Sequence, residues 1–228
     1  MFWPLWDPTM IILLPGLLLA FYAQFRVQST FARWSQVRIA NGRTGAEIAG
    51  ELLRRNGLAD VEIERTDGVL SDHYDPRTRT LSLSSEVHDG ISVSSAGVAA
   101  HETGHAIQHA REYAPLALRS AMVPTVQFGS WLAWPLFIVG LLFHSGVMIQ
   151  LGILVFTAAV AFTIVTLPVE FDASARALRA LRDEGLVTAD ELGGVRAVLT
   201  AAALTYVAAA AMAILQLVRM LLLARREE

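Results

Sequence analysis

The longest uncharged stretch of the chain constrains its fold more than any other feature. Residues 120–169 contain no Asp, Glu, Lys or Arg. About 20 apolar residues are enough to cross the hydrocarbon core of a bilayer. The stretch therefore predicts two membrane-spanning helices, and His144-Ser145-Gly146 favours a tight turn between them. A buried hairpin in a globular core is the alternative, but the length of the stretch favours the membrane hairpin.

Two further apolar segments flank this hairpin. Residues 8–23 are uncharged, with Asp7 before them and Arg26 after them. Because a cleaved signal peptide has a basic start, this segment is interpreted as an uncleaved membrane anchor, which Pro15 is expected to kink. The apolar residues 198–223 predict a fourth span. Hydrophobic residues make up 54% of the chain and charged residues only 17%, a balance that indicates a membrane protein.

The remaining segments have the composition of a water-soluble domain. Thr44 and Glu47 fit a capping box and predict a helix over residues 45–56. Alternating apolar and polar residues predict strands around Val61 and Ile63 and over Thr80–Ser84. A second helix is predicted over about 94–113. The sequence therefore indicates a small α+β part between the membrane spans.

The segment His-Glu-Thr-Gly-His at residues 101–105 is the strongest chemical signal in the chain. Residues four apart share a face of a helix, so the imidazoles of His101 and His105 can bind one metal ion. Glu102 lies beside them and can act as a general base towards a water molecule. Two surface histidines and a chance glutamate are the alternative, but the small residues around the motif indicate a closely packed helix whose histidines need partners.

Any metal must be held by His and carboxylate groups, because the chain contains no Cys. Catalytic zinc typically has three such ligands and an open position. Glu170 is the best candidate for the third ligand, since the predicted hairpin returns the chain to the side of the motif helix there, and a new helix is expected to begin after Pro168. Asp172 is the competing carboxylate, although it points about 200° round a helix from Glu170. An exposed carboxylate at a helix N-terminus is the alternative interpretation of Glu170.

The other histidines are weaker ligand candidates. His109 lies one turn beyond the motif on the same helix, too far along the axis to share the metal. His73 and His88 lie in loop-like sequence, and His144 lies at the far end of the predicted hairpin. These positions favour Glu170 over a third histidine.

Peptide hydrolysis also needs a hydrogen-bond donor, besides the metal, for the developing oxyanion. Four residues are candidates for this role or for contact with substrate: His73, Tyr74, Tyr113 and Arg176. The sequence does not choose among them, and turn packing or surface positions explain each of them as well. The predicted strand Thr80–Ser84 could bind an extended peptide by strand addition, and an ordinary core strand explains it equally well.

Three segments carry a resemblance to a known family: LSDHYDP at 70–76, AHETGHAIQ at 100–108 and LPVEFDAS at 167–174. Over nearly its whole length the chain resembles the YugP-type family of bacterial membrane zinc metallopeptidases. It is more distantly similar to the HtpX-type gluzincins, which also place membrane helices between HExxH and the zinc glutamate. The resemblance implies His101, His105 and Glu170 as zinc ligands and Glu102 as the base.

The HtpX-type pattern departs from this chain at one position. Those enzymes have Asp four residues after the zinc glutamate, where this chain has Ser174. The groups that orient the zinc ligands must therefore differ here.

The sequence and the resemblance together predict a mainly α membrane protein with about four transmembrane helices. A small α+β zincin-like catalytic domain is expected at the membrane surface. The expected domains are an N-terminal transmembrane anchor at 1–25, a soluble catalytic part with the HExxH helix at 26–120, a transmembrane hairpin at 121–167, a helical segment with the third zinc ligand at 168–197, and a C-terminal transmembrane helix and tail at 198–228.

The expected function is that of an integral-membrane zinc-dependent endopeptidase with one Zn²⁺ per chain. It would hydrolyse peptide bonds of membrane-associated or misfolded proteins through a zinc-activated water. Peptide or protein substrates and membrane lipid are the expected partners, and nucleic acid is not, because no basic face is evident. The alternative is a non-catalytic zinc-binding membrane protein or regulatory scaffold. The lack of Cys disfavours that alternative, since structural zinc sites usually have four protein ligands.

The distribution of arginines predicts the orientation. All arginines at 26–119 and 176–196 fall on one side if the hairpin crosses twice, and cytoplasmic loops carry an excess of positive residues. We therefore expect a multi-pass protein of the bacterial inner (plasma) membrane with its active site facing the cytoplasm. A fourth crossing would place Arg225 and Arg226 outside, so either the C-terminus is outside or the last helix does not cross.

Overall fold

The computed structural model describes residues 7–68 and 71–225. This part of the chain is mainly helical, with a small sheet. Its helices are α1 (Leu14–Ser35, preceded by a 3₁₀ helix at Pro8–Leu13), α2 (Gly45–Arg55), α3 (Ser85–His88), α4 (Val93–Ala110), α5 (Ala114–Leu142), α6 (Gly146–Asp183) and α7 (Ala189–Ala224). Its strands are β1 (Glu62–Thr66), β2 (His73–Asp75) and β3 (Thr80–Ser84). The predicted strand at 80–84 is confirmed, and the predicted helix at 45–56 is confirmed to within one residue.

The chain divides into two compact units. The apolar unit consists of Met1–Gln24, Leu118–Leu167 and Thr205–Glu228, and the polar unit consists of Phe25–Ala117 and Pro168–Leu204. The boundaries fall inside α1, α5, α6 and α7. Every residue of the HExxH motif, and Glu170, belongs to the polar unit.

Within residues 7–68 and 71–225, three helical segments are long and apolar enough to cross a membrane: Pro8–Ser35, Gly146–Asp183 and Ala189–Ala224. Helix α5 consists of two parts, Ala114–Val126 and Trp131–Leu142, whose axes differ by 49°. The two parts are long and apolar enough to cross a membrane only when they are taken together. The structure therefore supports three of the four predicted spans. The fourth stays a prediction, because it requires the bent pair to count as one span.

The structure differs from the sequence-based expectation at Pro168. A helix was expected to begin after this proline, but α6 runs without interruption from Gly146 to Asp183. Proline removes one helical hydrogen bond, and long apolar helices tolerate this when neighbouring groups compensate. Glu170 therefore lies in the interior of a helix and is only 1% exposed. The alternative of an exposed carboxylate at a helix N-terminus is wrong.

Helix α4 forms the centre of the polar unit, because apolar residues on both of its sides are buried. On one side it packs against α2, α6 and α7, in a cluster that includes Ile48, Leu52, Val93, Ala96, Ala100, Leu181 and Val195. On the other side it packs against α2 and the sheet, in a cluster that includes Ala49, Leu53, Leu81, Leu83, Ala99, Ala106 and Ile107. The motif helix is thus held on two sides, which limits how its histidines can move.

The approach of α4 to α6 depends on one glycine. A Cβ atom placed on Gly104 would lie 2.5 Å from the backbone oxygen of Ala173. No side chain fits at that distance, so the two helix backbones are in direct contact there. Ala173 lies three residues after Glu170, and this contact therefore brings the motif helix next to the helix that carries the predicted third ligand.

The sheet has the order β1-β3-β2. Strand β3 pairs in parallel with β1 and antiparallel with β2, and its Leu81 and Leu83 are fully buried. Strand addition at β3 is therefore excluded, because both of its edges are already paired. The outer edges of the three strands described belong to β1 and β2.

In the apolar unit, α5 and α6 pack closely on either side of a short turn. Phe137 and Ile149 are buried together with Met220 of α7. A Cβ atom on Gly140 would lie 2.7 Å from the backbone nitrogen of Ile149, so this glycine is required for the approach. The turn between Leu142 and Gly146, with His144 in the left-handed region (φ 52°), confirms the predicted tight connection.

Candidate metal centre

Two histidines of α4 and one glutamate of α6 converge in the polar unit. Nε2 of His101 lies 3.2 Å from Oε2 of Glu170, and Nε2 of His105 lies 3.7 Å from the same oxygen. One ligand atom from each of the three residues lies within 4.8 Å of the other two. The structure therefore brings together the three residues that the sequence suggested as metal ligands.

The local fold explains why both imidazoles face the same point. Ser92 caps α4, since its hydroxyl accepts a hydrogen bond from the backbone N–H of Ser95, and the helix then runs without interruption to Ala110. Positions 101 and 105 are one turn apart on it. The two rings meet edge to face, with their centroids 4.8 Å apart.

Each histidine has a hydrogen-bond partner at its other ring nitrogen. Ser174 Oγ lies 3.1 Å from Nδ1 of His101, and Gln108 Oε1 lies 3.0 Å from Nδ1 of His105. A histidine that donates its Nδ1 hydrogen to such a partner keeps Nε2 free for a metal. Ser174 thus occupies the place where the HtpX-type pattern has Asp, with a hydroxyl instead of a carboxylate.

The competing carboxylate, Asp172, lies outside the cluster. Its Oδ2 accepts hydrogen bonds from Nε2 of Gln108 (2.8 Å) and from Nε of Arg176 (2.5 Å). Burial alone would raise the pKa of Asp172, but the hydrogen bonds from Arg176 and Gln108 outweigh this effect and hold it below its usual value. Because this carboxylate is held by Gln108 and Arg176 outside the cluster, Glu170 is favoured as the ligand.

Glu170 itself is held in its ionised form. Burial alone would raise the pKa of this carboxyl, but the hydrogen bond with His101 and the nearby ring of His105 outweigh burial and lower it far below the usual glutamate value. A deprotonated carboxylate is the form that binds a metal ion.

Glu102 is buried beside the cluster without belonging to it. Burial raises the pKa of Glu102 to about 7, the charge of His101 opposes this shift, and the negative charges of Glu170 and Asp72 add to it. A buried carboxyl next to a metal cluster and outside the ligand set has the position of a general base.

The four candidate substrate contacts occupy different surroundings. Tyr74 OH lies 2.9 Å from Nδ1 of His109, and the guanidinium of Arg176 lies over the ring of Tyr113 at 5.6 Å. His73 lies on the edge strand β2 and not in a loop, and its Nδ1 lies 2.9 Å from the backbone oxygen of Ser71. These contacts do not single out one of the four residues.

The remaining histidines lie away from the cluster. His109 contacts Tyr74, His88 contacts Asp89, and His144 lies in the turn of the apolar unit. Among the described residues, the group that could hold a metal is His101, His105 and Glu170.

Sequence reasoning missed the contribution of Gln108. Gln108 is three residues after His105 and seven after His101, so it lies on the same face of α4 as both. That spacing is the signal that could have identified it.

The donor set fits zinc. Two imidazole nitrogens and one carboxylate oxygen, with both imidazoles held by hydrogen bonds at Nδ1, are the protein ligands of a catalytic zinc site with an open position. The fit rests on the chemistry of the donors and on their convergence within 4.8 Å.

Apolar helices of membrane-spanning length and a buried cluster of two histidines and one glutamate define a class, the membrane metalloproteins. Residues 9–225 match the family described as "Putative neutral zinc metallopeptidase". The chain is 48% identical over 205 residues to "Putative membrane protease YugP" of Bacillus subtilis (strain 168), covering 90% of this chain and 91% of that protein. No solved structure shows a significant match. The chain belongs to this family of neutral zinc metallopeptidases.

Proposed function

We propose that the chain is an integral-membrane zinc-dependent endopeptidase that binds one Zn²⁺ through His101, His105 and Glu170. The observation that carries this proposal is the convergence of these three side chains, with the buried carboxyl of Glu102 beside them. The family to which the chain belongs and the name of its Bacillus relative support the same class of reaction.

In the proposed mechanism, His101, His105 and Glu170 would hold the zinc ion, which would supply Lewis-acid chemistry for the activation of water and of the scissile carbonyl. Glu102 takes a proton from the attacking water and delivers it to the leaving amine. Ser174 and Gln108 hold the two imidazoles in the orientation that directs Nε2 towards Glu170. His73 is the proposed donor to the oxyanion, because it is exposed on strand β2, where an extended substrate could pair.

The proposed substrate is an extended segment of a membrane-associated or misfolded polypeptide. Strand β2 has an outer edge and carries His73, so an extended peptide could pair with β2 through backbone hydrogen bonds. The ligand-bearing helix α6 is itself a candidate membrane span, which supports cleavage close to a bilayer. We propose the cytoplasmic face of the bacterial inner membrane as the location, on the basis of the arginine distribution.

The second candidate function is non-catalytic zinc binding by a regulatory membrane protein. A structural zinc site usually has four protein ligands, whereas the described cluster offers three. The buried carboxyl of Glu102, which lies outside the cluster, has no function in a purely structural site. Both observations favour the endopeptidase.

The first experiment measures zinc content and peptidase activity of the purified full-length chain in detergent, with and without a chelator. Glu102→Gln should retain zinc and lose activity, because it removes the base and leaves the ligands. His101→Ala or His105→Ala should abolish zinc binding, and Glu170→Ala should weaken it strongly. Glu112→Gln, at an exposed position just after α4, makes the same chemical change and should alter neither property.

Full zinc binding and activity in Glu170→Ala would show that the third ligand is a residue other than Glu170. Zinc that stays bound while the wild-type protein cleaves no peptide would support the regulatory alternative.

The substrate class is tested separately by mass spectrometry of proteins captured in native membranes by Glu102→Gln, with His101→Ala as the control. Recovery of only folded soluble proteins, or equal capture by both variants, would contradict it.

A further inference from the structure

Gln108 connects the two helices that carry the proposed metal ligands. Its side chain is fully buried (0% exposed). Its Oε1 lies 3.0 Å from Nδ1 of His105. Its Nε2 donates to the backbone oxygen of Val169 and to Oδ2 of Asp172, both at 2.8 Å. Val169 immediately precedes Glu170, so a single amide group contacts one ligand directly and the backbone next to another.

The surroundings of this amide determine its orientation. A backbone carbonyl can only accept hydrogen bonds, so the NH₂ group must face Val169, and the same group reaches Oδ2 of Asp172. The amide oxygen must then face His105, and Nδ1 of His105 must be the nitrogen that carries the hydrogen. In the neutral imidazole, the other nitrogen, Nε2, then carries no hydrogen, and it faces Glu170 at 3.7 Å.

A further pair of residues holds Asp172 in place. Nε of Arg176 donates to the same Oδ2 atom that accepts from Gln108, and the guanidinium of Arg176 lies over the ring of Tyr113 at 5.6 Å. A continuous series of contacts therefore runs from Tyr113 through Arg176, Asp172 and Gln108 to His105.

We infer that Gln108 is a positioning residue for the metal centre: its amide fixes the tautomer and orientation of His105 and ties that histidine to the turn of α6 that carries Glu170. Asp172 and Arg176 contribute indirectly, because they hold the amide of Gln108 in the orientation in which its oxygen faces Nδ1 of His105. This inference rests on the zinc site of the proposed function and assigns to these residues the preorganisation of that site.

The test replaces Gln108 with Met in the full-length chain in detergent and measures zinc affinity by competition with a chelator. Met has a similar length but no hydrogen-bonding amide. We expect zinc affinity to fall by about 10- to 100-fold, the usual effect of losing a group that orients a metal ligand. Thr103→Ala is the matched control, because Thr103 is buried on the same helix and donates only to Ala99 of its own turn. It should leave zinc affinity unchanged.

The Asp172 variants provide a test that does not depend on the folding of Gln108→Met. Asp172→Ala removes one of the two acceptors that orient the amide and should weaken zinc binding, whereas Asp172→Asn keeps an oxygen acceptor and should restore most of the affinity. A general structural role would not distinguish these two variants in this order.

A spectroscopic signature tests the tautomer itself. In the metal-free full-length protein labelled with ¹⁵N-histidine, the His105 signals, identified by their loss in His105→Ala, should show hydrogen on Nδ1. They should change in Gln108→Met and not in Thr103→Ala. Equal zinc affinity of wild type and Gln108→Met, or an unchanged His105 tautomer, would overturn the inference alone. A wild-type protein that binds no zinc would instead overturn the proposed function.

Discussion

At the scale of single residues, both histidines of the metal centre are oriented by neutral groups. Ser174 contacts His101 with a hydroxyl, and Gln108 contacts His105 with an amide. A carboxylate in the same place raises the basicity of the ligand, and the nearby Asp172 instead contacts Gln108. The only carboxylate in direct contact with either ring in these hydrogen bonds is the proposed ligand Glu170.

Replacement of Ser174 should weaken the metal centre. Ser174→Ala removes the partner of Nδ1 of His101, so we expect zinc affinity to fall by about 10-fold or more. Ser174→Thr keeps the hydroxyl and should retain most of the affinity. Chelator competition on both variants measures the effect. Equal affinities for Ala and Thr at this position would show that the hydroxyl does not orient His101.

The two histidine ligands could be predicted from the sequence, whereas the residues that orient them, Gln108 and Ser174, could not. His101 and His105 are one turn apart, so their convergence follows from helix geometry alone. The contacts of Gln108 with Val169 and of Ser174 with His101 join residues 61 and 73 positions apart. They depend on how α4 packs against α6, which no local pattern encodes.

At the scale of secondary structure elements, α4 and α6 are held together at Gly104. Its Cβ would lie 2.5 Å from the backbone oxygen of Ala173, and a backbone atom cannot turn aside as a flexible side chain can. We expect Gly104→Ala to destabilise the fold by about 1–3 kcal/mol, as other overpacked sites do, and to weaken zinc binding by separating the ligand-bearing helices.

The matched control is Gly193→Ala. A Cβ at Gly193, within α7, meets no atom within 4 Å, so the substitution should leave zinc affinity unchanged and raise stability by about 0.4–1 kcal/mol. Thermal unfolding in detergent and chelator competition measure both effects. A Gly104→Ala protein as stable and as tightly zinc-binding as Gly193→Ala would contradict the close contact.

The N-terminus of α7 should show a pH-dependent contribution to stability. Glu191 is buried, and its carboxylate accepts hydrogen bonds from the backbone N–H groups of Thr188 (2.7 Å) and Ala40 (2.6 Å). Burial alone would raise the pKa of Glu191, but these hydrogen bonds outweigh it and hold the pKa below the usual glutamate value. The ionised group therefore stabilises the fold above the unfolded-state pKa of about 4.3, and this stabilisation is lost as pH falls through the lower folded-state pKa.

We expect Glu191→Gln to lower the free energy of unfolding by about 1.5–3 kcal/mol at pH 7, the usual loss for hydrogen bonds to a charged group. The difference from wild type should narrow as the pH is lowered towards 3. Glu47→Gln is the control, because Glu47 forms the same kind of cap in an exposed position at α2. Glu47→Gln should lower the free energy of unfolding by less than Glu191→Gln does. Thermal unfolding at a series of pH values measures both variants.

Secondary structure was predictable where the signal is local. Thr44 and Glu47 form the predicted capping box, and α4 ends at Ala110, three residues before the predicted end at Tyr113. The break expected at Pro168 was wrong, because a rule about one residue was applied inside a long apolar helix. The pairing of β3 on both edges was not predictable, since the segment that forms β2 has no clear strand pattern and no local pattern shows which strands will pair.

At the scale of the whole molecule, the arginine distribution predicts the orientation in the membrane. Reporter fusions at residues 60 and 185 should report the cytoplasm, and a fusion at 145 should report the outside. A fusion at 228 distinguishes a crossing from a non-crossing last helix. A reporter at residue 60 that is active outside would overturn the predicted orientation, and with it the cytoplasmic location of the proposed site.

The contact at Gly104 also changes how the motif should be used to search other sequences. In the pattern HExxH the two middle positions are usually treated as free. Here the second of them faces a neighbouring backbone at a distance that excludes every side chain. Where the helix that carries the third ligand packs against the motif helix as closely as it does here, only glycine fits at the second middle position, and the pattern becomes HExGH. A scan for this architecture gains selectivity from a position that contributes no ligand, no charge and no side chain.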